Sequence, residues 1–349
     1  MTKSTSIRWK LPVTVFVTTI LLVMFLIPTL IVIAFQNDNR DEQASTEQVA
    51  TQSEPVEKQD LNSPIDVQVL RTAEDEVENV PLEEYVVHVV ASEMPADFEL
   101  EALKAQALAA RTYIVRYLMQ GSDENLPEGA DVTDTVNHQV YKSNEELRQI
   151  WGSDYHWKID KITNAVASTQ GQIITYKQEP ITPAFFSTSN GYTENSEDYW
   201  ANELPYLRTV ESPWDKQISP KFADQKTFPL HEVEEKLDID ITQQVQNFQI
   251  DRTESDRVAT VSIGDQQFTG REVREALGLQ SNDFTITMKN NHLVFTTKGY
   301  GHGVGMSQYG ANGMAKEGKS YQEIVKHYYK GTNVTAIEQT ASKLLAQEE

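Results

Sequence analysis

The chain turns apolar almost at once. After a short polar segment carrying Lys3, Arg8 and Lys10, the run LPVTVFVTTILLVMFLIPTLIVIAF from Leu11 to Phe35 holds no charged residue. As a helix it is long enough to cross the ~30 Å hydrocarbon layer of a bilayer. Asp38, Asp41 and Glu42 outweigh Arg40 beyond it, so the positive-inside bias predicts a cytoplasmic tail at residues 1–10 and an extracytoplasmic remainder. The run exceeds the ~7–15-residue core of a signal peptide and ends without a small-x-small cleavage site, which predicts an uncleaved single-pass anchor. From Gln36 to Ser63 the pattern is polar, rich in Gln, Glu, Asp, Asn and Ser. Such a stretch buries too little to offset its ordering entropy and predicts a flexible linker.

Beyond the linker the period becomes that of folded elements. Ile65, Val67 and Val69 alternate with polar residues, predicting a strand. Pro81 suits the first position of a helix whose buried stripe is Leu82, Val86, Val89 and Val90, with Glu83 and Glu84 favourably placed in its first turn. That helix must stop near Glu93-Met94-Pro95, because the residue before a proline is driven out of the helical region. Asp97 is expected to cap a second helix, from about Phe98 to Met119, with Leu100, Leu103, Ala107, Ile114 and Leu118 at helical spacing. Further along, GQIITY and TPAFFSTS predict strands, Val258–Ile263 a strand and Arg271–Leu277 a short helix. Phe284–Met288 and Leu293–Phe295 predict a hairpin turned at Lys289–His292, and Ser320-x-x-Glu323 is a capping box for a helix ended by Gly331. The expected fold class is α+β: one mixed helix and sheet domain at residues 64–335, a smaller β-rich insertion at about 225–298, and a polar tail at 336–349.

Charge and composition narrow the possible partners. Thirty Lys plus Arg against 52 Asp plus Glu give a net charge of -22, which repels nucleic acid and excludes it as the expected partner. The chain has no cysteine, which excludes a disulfide framework, a thiolate zinc site and a cysteine nucleophile.

Candidate chemistry centres on Glu93. It lies at the negative end of one helix, just before a proline-enforced turn into the next, and partial burial there would hold its proton as a general acid requires. Lys104 and Arg111 share one face of the second helix. They either orient Glu93 and hold a substrate oxygen, or reach solvent and pair with Glu101 or another acid. The segment FFSTSNGYTENSEDYW puts aromatic rings, carboxylates and the hydroxyls of Ser187 and Ser189 on one polar loop, and Tyr206 and Asp215 follow in PYLRTVESPWD. Such groups bind sugars; they equally make a solvated loop with its tryptophans in the core. In KGYGHGVGMSQYGANGMAKEG the glycines predict a backbone that turns tightly or admits a ligand, with His302 and Gln308 as hydrogen-bonding groups. A single histidine is a poor metal site.

Taken in order between Ile65 and Val334, VVASEMPADFELEALKAQALAARTY, FFSTSNGYTENSEDYW, YLRTVESPWD and GYGHGVGMSQYGANGMAKEGKSYQEIVKHYY resemble the stage II sporulation protein D family of bacterial lytic transglycosylases. The resemblance implies that Glu93 protonates a glycosidic oxygen in a peptidoglycan glycan strand. Its carboxylate then takes the proton of the muramyl C6 hydroxyl, which closes onto the anomeric carbon as a 1,6-anhydro ring. No second carboxylate at hydrolase spacing is needed for this. Substrate-site roles are implied for Lys104, Arg111, Tyr206 and Asp215, and no cofactor. The setting implied is engulfment of the forespore from the mother-cell membrane, facing the intermembrane space, on strands whose peptides have been removed. The implied partners are an amidase, stage II sporulation protein P, and a small membrane protein, stage II sporulation protein M. Some relatives hold zinc through cysteine and histidine; His138 lies in the corresponding segment TVNHQVY, but without cysteine no zinc is expected. A second branch of the superfamily enhances amidases, so the rival expectation is a non-catalytic wall-binding adaptor.

Overall fold

The computed structural model describes residues 61–344 apart from 122–125, 128, 242–247, 264–265 and 342–343. The anchor expected at Leu11–Phe35, and the linker as far as residue 60, lie outside the described residues. Among those described, no helix is long and apolar enough to cross a membrane.

The alternation that begins at Ile65 becomes β1 (Asp66–Arg71), with Val67 and Val69 wholly buried. It pairs antiparallel with β2 (Glu76–Pro81) and, on its other edge, parallel with the short β3 (Val132–Thr133). Pro81 hands the chain straight into α1 (Leu82–Glu93). Met94, extended at φ -126 ahead of Pro95, ends that helix by the steric rule anticipated for it. The burial of α1 exceeds one stripe, however, because Tyr85, Val87 and His88 are buried as well.

The second helix, α2 (Leu100–Gln120), starts later than its sequence suggests, and Asp97 does not cap it. Pro95 to Phe98 form a turn closed by the Phe98 N–H on the Pro95 carbonyl, which leaves Asp97 exposed outside the helix. The cap residue is Glu99, and its N–H donates to Asn312 Oδ1 at 2.8 Å. The chain then forms α3 (Asn144–Trp151), which opens on a Ser143–Glu146 capping box, and α4 (Tyr155–Ala167). A sheet follows in which β4 (Gln172–Tyr176) lies between β5 (Glu179–Pro180) and β14 (Asn333–Ala336). A two-strand pair joins β6 (Phe185–Phe186) in parallel to β13 (Met306–Ser307). Directly after β13 come α7 (Gln308–Lys316) and α8 (Tyr321–Tyr328), the latter opening on the expected Ser320–Glu323 box. Helix α2 packs against α1, α4, α7, α8 and β4, and its alanines 102, 105, 107, 109 and 110 are fully covered.

Between β6 and β13 a second apolar cluster runs from Leu230 to Phe295. It is built by β7 (Ala223–Pro229), α5 (Leu230–Leu237), β8 (Gln249–Arg252), β9 (Val258–Ile263), β10 (Gln266–Thr269), α6 (Gly270–Leu277), β11 (Phe284–Lys289) and β12 (His292–Lys298). The hairpin of β11 and β12 turns at Asn290 and Asn291, both with positive φ (49 and 59). Two asparagines are well suited to that left-handed pair, which matches the twist of the strands. Helices and sheets are thus mixed in this chain.

One charged pair joins the elements around α2. Arg111, with no solvent exposure, donates through Nη2 to Glu83 Oε2 at 2.6 Å and through Nε to Oε1 at 2.9 Å. Its remaining donors reach the carbonyls of Val166 (3.2 Å) and Gln172 (3.1 Å), and Glu83 Oε1 also accepts the Gly171 N–H at 3.1 Å. Glu83 stands in the first turn of α1, as its sequence position suggests, and is buried there; Arg111 has no exposed surface. Removing one partner of a buried pair leaves an uncompensated charge, at a cost of about 3–5 kcal/mol. Arg111→Met is accordingly expected to lower stability by that amount in urea denaturation. A loss under 1 kcal/mol would show that the pair does not hold these elements together.

Candidate active site

The site is built on the turn between α1 and α2. Glu93 is the last residue of α1, where backbone carbonyls lack helical partners. Gln308 Nε2 supplies one, donating to the Glu93 carbonyl at 3.0 Å. The Glu93 side chain lines a cleft of about 360 Å³. Burial raises its carboxyl above the ordinary glutamate range, opposed by a hydrogen bond from the Val140 backbone.

Further segments complete the cleft. Lys142 comes from the loop before α3; Leu147, Ile150 and Trp151 come from α3 and Lys158 from α4; Ser187 follows β6; Lys221 precedes β7. Gln308 and Tyr309, the first residues of α7, close it. The Tyr309 N–H donates to the Ser187 carbonyl at 3.1 Å, and its ring meets Phe98 edge-on at 4.9 Å. Of the residues singled out from the sequence, the fold therefore brings together Glu93, Ser187 and Gln308. Gln308 acts on the backbone of Glu93 as well as facing the cleft.

The others lie elsewhere, each for a physical reason. Lys104 is paired with Glu101 at 2.7 Å, and Glu101 in turn accepts the Tyr321 N–H at 2.8 Å, so this pair joins α2 to α8. Asp215 is fully covered. Its carboxylate accepts the Ser189 N–H at 2.8 Å and the hydroxyls of Ser212 (2.7 Å) and Ser307. Burial raises that carboxyl, against the two serine hydroxyls. Ser189 is equally covered and belongs to the same knot. The Tyr206 hydroxyl accepts the Thr182 N–H at 3.0 Å, and the residue lines a separate cavity with Arg116, Tyr176 and Pro180.

His302 sits among the rings of Phe186, Tyr199 and Trp200, 5.5–5.7 Å away, and its Nδ1 accepts the Val304 N–H at 3.0 Å. Burial, with Arg274 and Arg257 adding, pushes its pKa down to about 3, so it is neutral. The rings of the aromatic loop thus pack about a histidine. The glycines of the later segment also serve packing. A Cβ on Gly301 would lie 2.8 Å from Phe186, and one on Gly305 would overlap the Ala184 carbonyl.

Lys142, Ile150, Trp151, Lys158, Lys221 and Tyr309 were not singled out from the sequence. The spacing Ser143-x-x-Glu146, which the structure turns into a capping box, is the one local signal that could have marked α3. Only the fold reveals that Ile150, 59% exposed, stands at a cleft. A cysteine and histidine metal set does not fit this chain. It has no cysteine, and the His138 ring nitrogens bond to the Tyr117 hydroxyl (3.0 Å) and Thr133 Oγ1 (2.9 Å). Among the described residues no group of three or more His, Cys, Asp or Glu could hold a metal ion.

Comparison with known proteins agrees with the resemblance seen in the motifs. Residues 71–176 match the family model described as Stage II sporulation protein. The chain is 50% identical over 330 residues to Stage II sporulation protein D of Bacillus subtilis, covering 93% of this chain and 96% of that one. It is 47% identical over 342 residues to Stage II sporulation protein D of Bacillus amyloliquefaciens, covering 96% and 99%. It is also 30% identical over 302 residues to the Amidase enhancer of Bacillus subtilis, covering 71% of this chain but 40% of that longer protein. At such identity over nearly the whole length of two relatives, the chain belongs to the stage II sporulation protein D family, a family of sporulation proteins.

Proposed function

We propose that this protein is a lytic transglycosylase of peptidoglycan, anchored by Leu11–Phe35 and working outside the membrane on strands that an amidase has stripped of peptides. The observation that carries the reading is the Glu93 carboxyl, raised by burial, in a residue that lines a cleft of about 360 Å³. A carboxyl that keeps its proton toward neutral pH can donate it to a glycosidic oxygen as the bond to the anomeric carbon breaks. The carboxylate left behind takes the proton of the C6 hydroxyl while O6 bonds to that carbon, so the acid is restored and no water is consumed. Stage II sporulation proteins P and M are the partners proposed for this setting.

Asp97 is the other carboxylate lining the cleft, and a hydrolase would use such a pair to activate water or form a covalent intermediate. The products separate the two chemistries. On peptide-free glycan the protein is expected to leave 1,6-anhydromuramyl ends, and Glu93→Gln to cut at least about 10²-fold more slowly while still sedimenting with the glycan. Reducing muramyl ends would assign a hydrolase. Binding without cleavage by the parent would favour the adaptor reading, to which the relative named Amidase enhancer lends support.

The raised carboxyl also has a sign in pH. Cleavage is expected to fall as pH rises through its folded value, because the acid form is the reactive one. For stability, the folded chain binds an extra proton between the ordinary glutamate value of about 4.3 and the raised one. Stability from this group therefore falls as pH rises through that window and stays level above it. Glu93→Gln is expected to be more stable than the parent at pH 7, with the gap closing below about pH 4. A gap that does not change with pH would contradict the shift.

A further inference from the structure

Three lysines line the Glu93 cleft in a protein whose net charge is -22, and they come from three separate segments: Lys142, Lys158 and Lys221. Among the described residues Lys142 and Lys221 form no ion pair with a carboxylate. Lys221 is held instead over the Tyr300 ring, its Nζ 5.0 Å from the centroid. Lys158 pairs with Asp154 at 3.4 Å and is steered by the rings of Trp151 (5.8 Å) and Trp157 (5.4 Å). These contacts hold Lys158 and Lys221, Ile150 and Trp151 add apolar surface to the same lining, and only Glu93 and Asp97 supply negative charge to it. Burial raises the carboxyl of Glu93.

An anionic polymer is repelled by this protein's average field, so a cationic cleft is needed if such a polymer is to be bound here. An apolar surface lined with cations from three separate segments suits a sugar chain with carboxylates at intervals. Peptidoglycan offers that pattern in one form. When the stem peptide is cut from muramic acid, the lactyl amide becomes a free carboxylate on each second sugar; while the peptide is attached, the same position is a neutral amide.

We propose that Lys142, Lys158 and Lys221 form carboxylate subsites that read the free lactyl groups of peptide-free glycan, and so make the removal of peptides a condition for productive binding. The proposal rests on the peptidoglycan reading above and adds to it the group by which processed strands are told from unprocessed ones. The lysines are specificity residues, not participants in proton transfer.

The test uses the full-length protein and two glycans of equal length: peptide-free strands, and the same strands with every lactyl carboxylate converted to its neutral methylamide. Binding is measured by co-sedimentation and cleavage by end-group release. The parent is expected to favour the free acid about tenfold in binding and in kcat/KM, a factor that shrinks between 50 and 500 mM salt as about 1.4 kcal/mol of charge attraction is screened. Lys142→Gln combined with Lys221→Gln is expected to bring the ratio near one, and the double exchange to Arg to restore it. Equal treatment of both glycans by the parent, or a ratio untouched by the Gln exchanges, overturns the proposal. Since binding is read apart from cleavage, a parent that discriminates but does not cut refutes the transglycosylase reading while leaving the lysine subsites standing.

Discussion

The guanidinium of Arg111 is the contact on which the rest of this body depends. It is buried with Glu83 where α1, α2, the end of α4 and the start of β4 meet, and each of its charged hydrogen bonds goes to one of these elements or to the carboxylate that α1 supplies. Buried charge of this kind is costly unless it is fully satisfied, and here it is satisfied in one arrangement of the four elements. That arrangement fixes the angle between α1 and α2, and the turn joining them carries Glu93. A residue resembling a substrate ligand in sequence is therefore a buried structural contact, beside the two helices whose connecting turn carries Glu93.

At that corner three effects compete. The negative end of α1 and the loss of water both hold the proton on Glu93, while the Val140 backbone hydrogen bond favours its loss. Desolvation is the largest of the resolved causes, so the balance falls toward the protonated form. Lys104 does not enter this contest because Glu101 holds it on another face of α2. The cations that do line the cleft come from elements remote in sequence, where no pattern along the chain could associate them with the acid.

Local rules read much of this structure correctly from the sequence. The strand at Ile65, the helix stop before Pro95, the Asn290–Asn291 hairpin and the Ser320 capping box depend on neighbours in the chain, and each stands where sterics and hydrogen bonding place it. Asp97 failed as a cap because the turn ahead of it was closed by backbone alone and the helix start was satisfied by Asn312, a residue no local rule could propose. The site was half legible for the same reason. Glu93 had a local signature, a carboxylate between helix end and proline. Asp215 looked like a ligand because carboxylates usually are polar surface groups, and only its burial marks it as a structural knot; His302 is set among aromatic rings instead. Trp151 and the three lysines had no signature at all; they matter because of where α3, α4 and two loops come to rest.

The turn bearing Glu93 is held on both sides by one late segment of the chain: Gln308 bonds to the carbonyl of Glu93 and Asn312 to the N–H of Glu99, across sequence separations of 215 and 213 residues. Contacts of such long range form late in folding, after the loops between them have closed. A chain emerging N-terminus first thus carries its acid for most of its synthesis without the clamp that shapes the corner. The cleft waits on completion of the fold, and a product truncated ahead of α7 has Glu93 but neither of the side chains that clamp its turn.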